Sequence, residues 1–237
     1  MKKMKFINFI QGKKVIFVGA CPNLIGKNQG KFIDSFDVVV KSGHSWSFTK
    51  EEYTKDYGSR CDMVYCNRQY YREMKPFPIE DMKNRGVKFL GLKGSSPEDF
   101  INFNKVIPTR LLKEVYEYVN KSLKSASMGN YIIYDLLMQK PKELYLTGLD
   151  FFASKKSEFE HDNYQEYLDG YLPDKIRKQG NIINVGKKAD GHDFLGNAKF
   201  FYNLFLTSPE LKTDNYIYEL LENIVSEKVK QGDIRWT

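Results

Sequence analysis

The apolar residues of this chain occur either in short unbroken runs or at helical spacing. Five short runs predict strands, at 14–18, 37–40, 62–66, 87–91 and 143–147. Unbroken apolar runs of this length are typical of strands buried on both faces of a parallel sheet. Four stretches with helical spacing predict helices, at 111–119, 131–138, 194–205 and 216–225. This order of elements predicts an α/β sandwich with a mostly parallel sheet.

The length and composition indicate one folded domain over residues 1–237. A hydrophobic share of 41% is enough to form a core. The segment 153–188 differs from the rest because it is polar, aromatic and charged. A long irregular segment in a compact domain is usually a functional lid or a disordered insert, and we expect one of the two here.

The charge and the cysteines narrow the class of protein. The net charge is +7, but the lysines are scattered and match no nucleic-acid-binding motif, so we expect no nucleic-acid partner. Cys21, Cys61 and Cys66 have irregular spacing and form neither a disulfide framework nor a zinc pattern. The apolar stretch near the N-terminus is too short for a signal peptide, and no run could span a membrane. We therefore expect a cytoplasmic protein.

Two short segments at predicted element ends are candidates for ligand binding. Gly19-Ala20-Cys21-Pro22 follows the first strand, with one glycine where a dinucleotide fingerprint needs three, and a tight turn explains it equally well. Ser127-Met128-Gly129-Asn130 opens a helix, whose free N–H groups and positive end suit a phosphate. The commoner alternative is that Ser127 simply caps this helix.

The three histidines differ in their suitability for proton transfer. His192 is predicted to begin the helix that ends near Phe205, where the helix dipole keeps the imidazole neutral and able to act as a base. His161 lies among Glu158, Glu160 and Asp162, which favour its protonated form. His44 follows the second strand and could contact a ligand. A capping or loop role is the alternative for each of them.

No pattern in the sequence indicates a metal site. The chain has no D-x-D pair of the kind that holds a metal and a diphosphate in many glycosyltransferases, and no dense carboxylate cluster. We therefore expect no metal and no cofactor.

Taken in order, these segments resemble the motifs of the sialyltransferases, both the eukaryotic-type and the small bacterial families. The first motif, an apolar strand followed by G-N-x-x-x-L and I-D-x-x-D-x-V, is similar to 15–24 and 33–41. The second, S-x-G followed by a strand ending in G-x-D-F, is similar to 127–129 and 145–151. In the last motif a histidine precedes an acidic residue, as His192 precedes Asn197.

The resemblance implies a single-domain α/β sandwich of the variant GT-A type and an inverting, metal-independent transfer. It implies that His192 is the general base, with His161 a candidate for assisting the departure of the phosphate. The implied nucleotide-sugar site comprises Gly19, Ala20, Cys21, Pro22, Asn23, Lys41, Ser42, Gly43, His44, Ser127, Met128, Gly129, Asn130, Gly148, Asp150 and Phe151.

The sequence departs from the family pattern at two asparagines that help to bind the cytidine monophosphate donor. Ala20 replaces the first, and the R-x-N after the second strand reads Lys41-Ser42-Gly43. The expected partners are therefore a glycan acceptor and a donor that is CMP-sialic acid or another nucleotide sugar. The alternatives are a non-catalytic nucleotide- or glycan-binding protein on the same fold, and an unrelated nucleotide enzyme such as a phosphotransferase, against which the absence of a P-loop counts.

Overall fold

Seven parallel strands form one sheet in the computed structural model, which describes residues 6–46, 49, 53–67, 78–94, 96–123, 126–149 and 194–230. The strands within these ranges are β1 (Lys14–Val18), β2 (Val38–Ser42), β3 (Met63–Asn67), β4 (Phe89–Lys93), β5 (Thr109–Leu111), β6 (Glu143–Thr147) and β7 (Leu211–Thr213). Their order is β5-β4-β3-β2-β1-β6-β7, and every neighbouring pair is parallel. The predicted parallel α/β architecture is confirmed.

The helices of the described ranges fill the connections between strands. They are α1 (Phe6–Ile10), α2 (Gly30–Asp34), α3 (Gly43–Trp46), α4 (Thr54–Tyr57), α5 (Ile79–Asn84), α6 (Pro97–Val106), α7 (Lys113–Ser122), α8 (Met128–Met138), α9 (Phe194–Thr207) and α10 (Asn215–Lys230). The four predicted helices correspond to α7, α8, α9 and α10. Helix α7 begins later than predicted because Leu111 ends β5, and α8 begins at Met128, within the segment Ser127–Asn130 that was predicted to open it.

Each face of the sheet packs against its own set of helices. On what we call the first face, Val15, Phe17 and Leu146 share a core with Ile132 and Leu136 of α8, together with residues of α1, α7, α9 and α10. On the second face, Ile16, Val18 and Val39 pack against α2 and α4, and residues of β3 and β4 pack against α3 and α5. The continuous apolar runs therefore arise from strands that are buried on both faces.

The direction of winding reverses at β1. The chain moves from β1 to β5 with its connecting helices on the second face, and then returns on the first face to place β6 on the other side of β1. Right-handed crossovers require this change of face. The carboxyl ends of β1 and β6 therefore form the topological switch point, where open α/β sheets bind ligands.

A buried ionic cluster attaches α8 to the sheet. Asp135 of α8 is completely buried, and its carboxylate pairs with Arg110 of β5 at 2.8 Å. The hydroxyl of Tyr65 in β3 donates to the same carboxylate at 2.6 Å. Gly91 leaves room for the tyrosine ring, because a Cβ at that position would lie 2.3 Å from it. Burial and the neighbouring carboxylate raise the pKa of Tyr65 well above its ordinary value, so the hydroxyl remains a donor.

We predict that Tyr65→Phe lowers the free energy of unfolding by about 1.5 to 3 kcal/mol, because a buried carboxylate loses a donor. Urea unfolding monitored by circular dichroism measures this loss. Tyr145→Phe is the matched control, since no hydrogen bond from that hydroxyl occurs within the described ranges. Equal losses in the two variants would contradict a role for the Tyr65–Asp135 hydrogen bond.

Candidate functional site at the carboxyl edge of the sheet

The loops that follow β1 and β6 meet at the switch point. The amide of Gly19 donates to the carbonyl of Thr147 at 2.9 Å, and the amide of Cys21 donates to the carbonyl of Gly148 at 2.9 Å. These bonds continue the β1–β6 pairing beyond the ends of the strands. The structure therefore brings together Gly19 and Gly148, two residues that the sequence predicted for the nucleotide-sugar site.

Only glycine fits at this contact. A Cβ on Gly19 would lie 2.1 Å from the carbonyl oxygen of Gly148, and Gly148 itself has a φ of +66°. The close backbone approach that the sequence indicated at Gly19 is thus an approach to the loop after β6. Both backbones are held at the edge of the sheet that faces a ligand in folds of this kind.

The turn after β1 is held from the second face by Tyr57. This tyrosine is fully buried in α4, and its hydroxyl donates to the carbonyl of Cys21 at 2.7 Å. The side-chain oxygen of Asn23, in the same turn, is buried and has no hydrogen-bond partner among the described residues. Buried polar atoms are usually paired, so Asn23 presents an acceptor that a ligand donor can satisfy.

The start of α8 lies at the same edge of the sheet. Helix α8 has 11 residues and ends at Met138, close to the amino end of β6. At about 1.5 Å per residue, it extends about 16 Å, the length of the adjacent strands, so its N-terminus reaches the carboxyl edge. It packs on the first face. The segment Ser127–Asn130 is thus near the switch point, as the sequence predicted.

The expected capping role of Ser127 is wrong. Ser127 occupies the N-cap position in an extended conformation, but its side chain accepts no capping hydrogen bond from the helix. Among the described residues, a Cβ on Gly129 would meet only the Ser127 side-chain oxygen, at 3.7 Å, so these residues leave the space beside its backbone open. The first turn of α8 therefore retains its N–H donors without the usual side-chain acceptor.

Asn197 attaches the first turn of α9 to the first turn of α8. Its side-chain oxygen accepts the amide N–H of Ser127 at 2.6 Å and the side-chain amide of Asn130 at 2.7 Å. Asn130 also donates to the Asn197 carbonyl at 3.2 Å, and both asparagines are completely buried. Asn197 stands where the last sialyltransferase motif has its acidic residue. In this chain the carboxamide oxygen of Asn197 accepts the hydrogen bonds from Ser127 and Asn130.

Lys41 differs from the other predicted site residues. Its side chain is fully buried, and its ammonium donates to the carbonyl of Gly58 at 3.0 Å. Burial lowers the pKa of Lys41 to about 8. Strand alternation places Lys41 on the second face with Val39, whereas Ser42 follows Val40 on the first face, the side where α8 begins. Only the backbone of Lys41 therefore lies at the candidate site.

Several predicted residues lie outside the described residues. These are His161, His192, Asp150 and Phe151, the segment 153–188, and the side chains of Pro22 and His44. Ala20 and Cys21 follow β1, Ser42 ends β2 and Gly43 begins α3, all at the carboxyl edge, and Met128 begins α8. Two contributors were not predicted in these roles. Tyr57 was not among the predicted site residues, whereas the bonds of Asn197 fall at a motif position.

Within the described ranges, no group of three or more His, Cys, Asp or Glu side chains is placed to hold a metal ion. The helices of those ranges are all too short or too polar to cross a membrane.

No protein-family model matches the chain, and no curated protein matches it in sequence. Solved structures match it in fold. The sialyltransferase CstII from Campylobacter jejuni, in complex with the substrate analogue CMP-3FNeuAc, is 14% identical, with 85% of this chain and 78% of that chain covered and a TM-score of 0.50. A CstII variant in complex with CMP is 19% identical, with 85% and 80% covered and a TM-score of 0.54.

A mammalian sialyltransferase in complex with Gal-beta-1-3GalNAc-ortho-nitrophenol is 13% identical, with 88% of this chain and 71% of that chain covered and a TM-score of 0.54. The chain therefore has a sialyltransferase-like fold, as the sequence motifs implied.

We predict that Asn197→Leu lowers the free energy of unfolding by about 2 to 6 kcal/mol, because it leaves two buried donors without an acceptor. Asn197→Asp is the matched control, since a carboxylate oxygen can accept both bonds beside the positive end of α8 and should therefore cost less than the leucine. Chemical denaturation of both variants tests the pair. An Asp variant as unstable as the Leu variant would contradict the view that Asn197 stabilises the start of α8 as a hydrogen-bond acceptor.

Proposed function

We propose that this protein is a glycosyltransferase that moves a sugar from a nucleotide-sugar donor to a glycan acceptor. The observation that carries the proposal is the start of α8, which lacks a capping side chain and is open beside Gly129. A helix N-terminus at the carboxyl edge of a parallel sheet suits a phosphate group. The sialyltransferase-like fold and the CMP complexes of its structural neighbours support the same class of donor.

The nucleotide lies, in this proposal, between the turn after β1 and the start of α8. The unpartnered Asn23 oxygen can accept a hydrogen bond from the nucleoside, and the N–H groups of the first turn of α8 can donate to the phosphate. CMP is the first nucleotide to test, because it is bound in the neighbouring structures. Another nucleotide is the alternative, because Ala20 replaces an asparagine of the family motif and the Lys41 side chain is turned towards Gly58.

The proposed chemistry is a single inverting displacement without a metal. His192, which precedes α9 by two residues, removes the proton of an acceptor hydroxyl. That oxygen forms a bond to the anomeric carbon while the bond from this carbon to the phosphate oxygen breaks. The negative charge that develops on the leaving phosphate is stabilised by the positive end of α8, and His161 can protonate the phosphate. Asp193 orients the base or the acceptor.

A non-catalytic nucleotide-binding protein is the second candidate. It is favoured by the replacement of the first-motif asparagine by Ala20 and by the withdrawal of the Lys41 side chain into the second face. Donor hydrolysis separates the two candidates, because a binding protein should produce none.

We predict that a saturating nucleotide raises the melting temperature. A ligand at 100 times its Kd adds about 2.7 kcal/mol, which is roughly 5 to 10 °C for a chain of this length. Thermal-shift assays with CMP, CDP, UDP and GDP identify the base. No shift with any of the four would contradict a nucleotide site.

The variant Gly129→Ala tests whether the nucleotide binds at the start of α8. Among the described residues the new Cβ meets only the Ser127 oxygen, at 3.7 Å, so the unliganded melting temperature should be unchanged or slightly higher, since alanine also lowers the entropy of the unfolded chain. We expect the nucleotide-induced shift to be lost, because the methyl group occupies the space beside the helix donors. A full nucleotide shift in a folded Gly129→Ala protein would place the ligand elsewhere.

We predict that His192→Ala reduces turnover by about a hundredfold or more, the usual contribution of a general base. Nucleotide binding should be nearly unchanged. His161→Ala is the matched control and should cost less, mainly at high pH. Transfer is measured with EDTA present, because the proposed chemistry needs no metal. Near-normal turnover in His192→Ala would overturn the assignment of the base.

A further inference from the structure

Lys93 places a cation at the carboxyl edge of the sheet, on the face that carries α8. It is the last residue of β4, and strand alternation puts it on the first face with Phe89. Its ammonium lies 3.9 Å from the centre of the Tyr131 ring and 5.6 Å from that of Tyr116. The two rings are stacked, with their planes 9° apart. The lysine is therefore positioned by aromatic packing.

No counter-ion among the described residues accounts for this charge. Lys93 takes part in none of the ion pairs formed among the described residues. The side chain is partly buried, and burial lowers its pKa to about 8. Contact with two aromatic faces offsets part of the lost hydration but does not neutralise the charge.

The ammonium is also close to the open start of α8. Tyr131 is the fourth residue of this helix, and helical side chains lean towards the N-terminus, so its ring covers the first turn. The ammonium above that ring and the positive helix end repel each other in the free protein. An anion bound between them would interact favourably with both.

We propose that Lys93 binds an anionic group of the substrate, either the nucleotide phosphate or a carboxylate on the transferred sugar. The inference rests on the proposed function and adds a binding residue to it. The Tyr131–Tyr116 stack sets the position of the ammonium, and the open space beside Gly129 admits the anion. No motif indicated Lys93, because it ends a strand that was predicted only from its apolar run.

Calorimetric titration of the full chain with cytidine, CMP and CMP-3FNeuAc tests this inference. The variants are Lys93→Met, Lys93→Arg and the control Lys121→Met, which removes an exposed lysine from the last turn of α7. We expect Lys93→Met to weaken binding of the anionic ligand by about tenfold, the loss of one charge-assisted hydrogen bond. Lys93→Arg should retain most of the affinity, and Lys121→Met all of it.

Comparing the affinities for the three ligands separates the loss of one contact with an anionic group from a general loss of binding. If Lys93→Met weakens CMP but not cytidine, Lys93 binds the phosphate, and if it weakens only CMP-3FNeuAc, Lys93 binds the carboxylate. Equal effects on all three ligands, or no effect on any, would overturn the inference while nucleotide binding by the unmodified protein still supports the proposed function. Failure of the unmodified protein to bind any nucleotide would overturn both. Lys93→Gln gives the same comparison if Lys93→Met does not fold.

Discussion

The first turn of an α-helix has four backbone N–H groups without partners inside the helix, and at α8 the residue in the capping position does not satisfy them. The backbone N–H of Ser127 donates a hydrogen bond to the side-chain oxygen of Asn197. The helix therefore presents its donors and its positive end to the carboxyl edge of the sheet. The loops that follow β1 and β6 lie at the same edge of the sheet.

Helix α8 is fixed at both ends of its buried face, which makes its open end a rigid site. Asn197 holds the first turn, and Asp135 holds the third turn through Tyr65 and Arg110. The hydrogen bonds of Asn197 also join α8 to the start of α9, the helix that follows the proposed base. In the proposed function, nucleotide binding at α8 and proton transfer beside α9 share this one buried asparagine, and sites of that kind depend on such supporting contacts.

The sequence predicted the parts of the fold that produce long or unbroken apolar patterns. Strands β1 and β6 have the predicted bounds, and three further predicted strands lie within two residues of those observed. Strands β5 and β7 have three residues each, and Thr109-Arg110-Leu111 shows no apolar run, so neither strand was predicted. Local pattern cannot find a strand whose main contribution, at Arg110, is an ion pair with a distant helix.

Some features of the candidate site were likewise predicted from the sequence, and others were not. The glycines at 19, 129 and 148 were predicted as site residues, Gly19 because a close backbone approach requires glycine, and Gly129 and Gly148 from their motif positions. The inward direction of Lys41 and the use of Ser127 as a donor depend on contacts with Gly58 and Asn197, which are distant in sequence. A capping preference is a statistical tendency, and the Ser127 side chain does not cap α8.

Amide NMR of the glycines during a titration with CMP tests the central claim most directly. The account predicts saturable shifts for Gly19, Gly129 and Gly148 at the carboxyl edge. Gly12 and Gly86, which precede β1 and β4 at the opposite edge, should remain unchanged. Shifts confined to the opposite edge, or saturable binding with no change at Gly129, would contradict a nucleotide site at the start of α8.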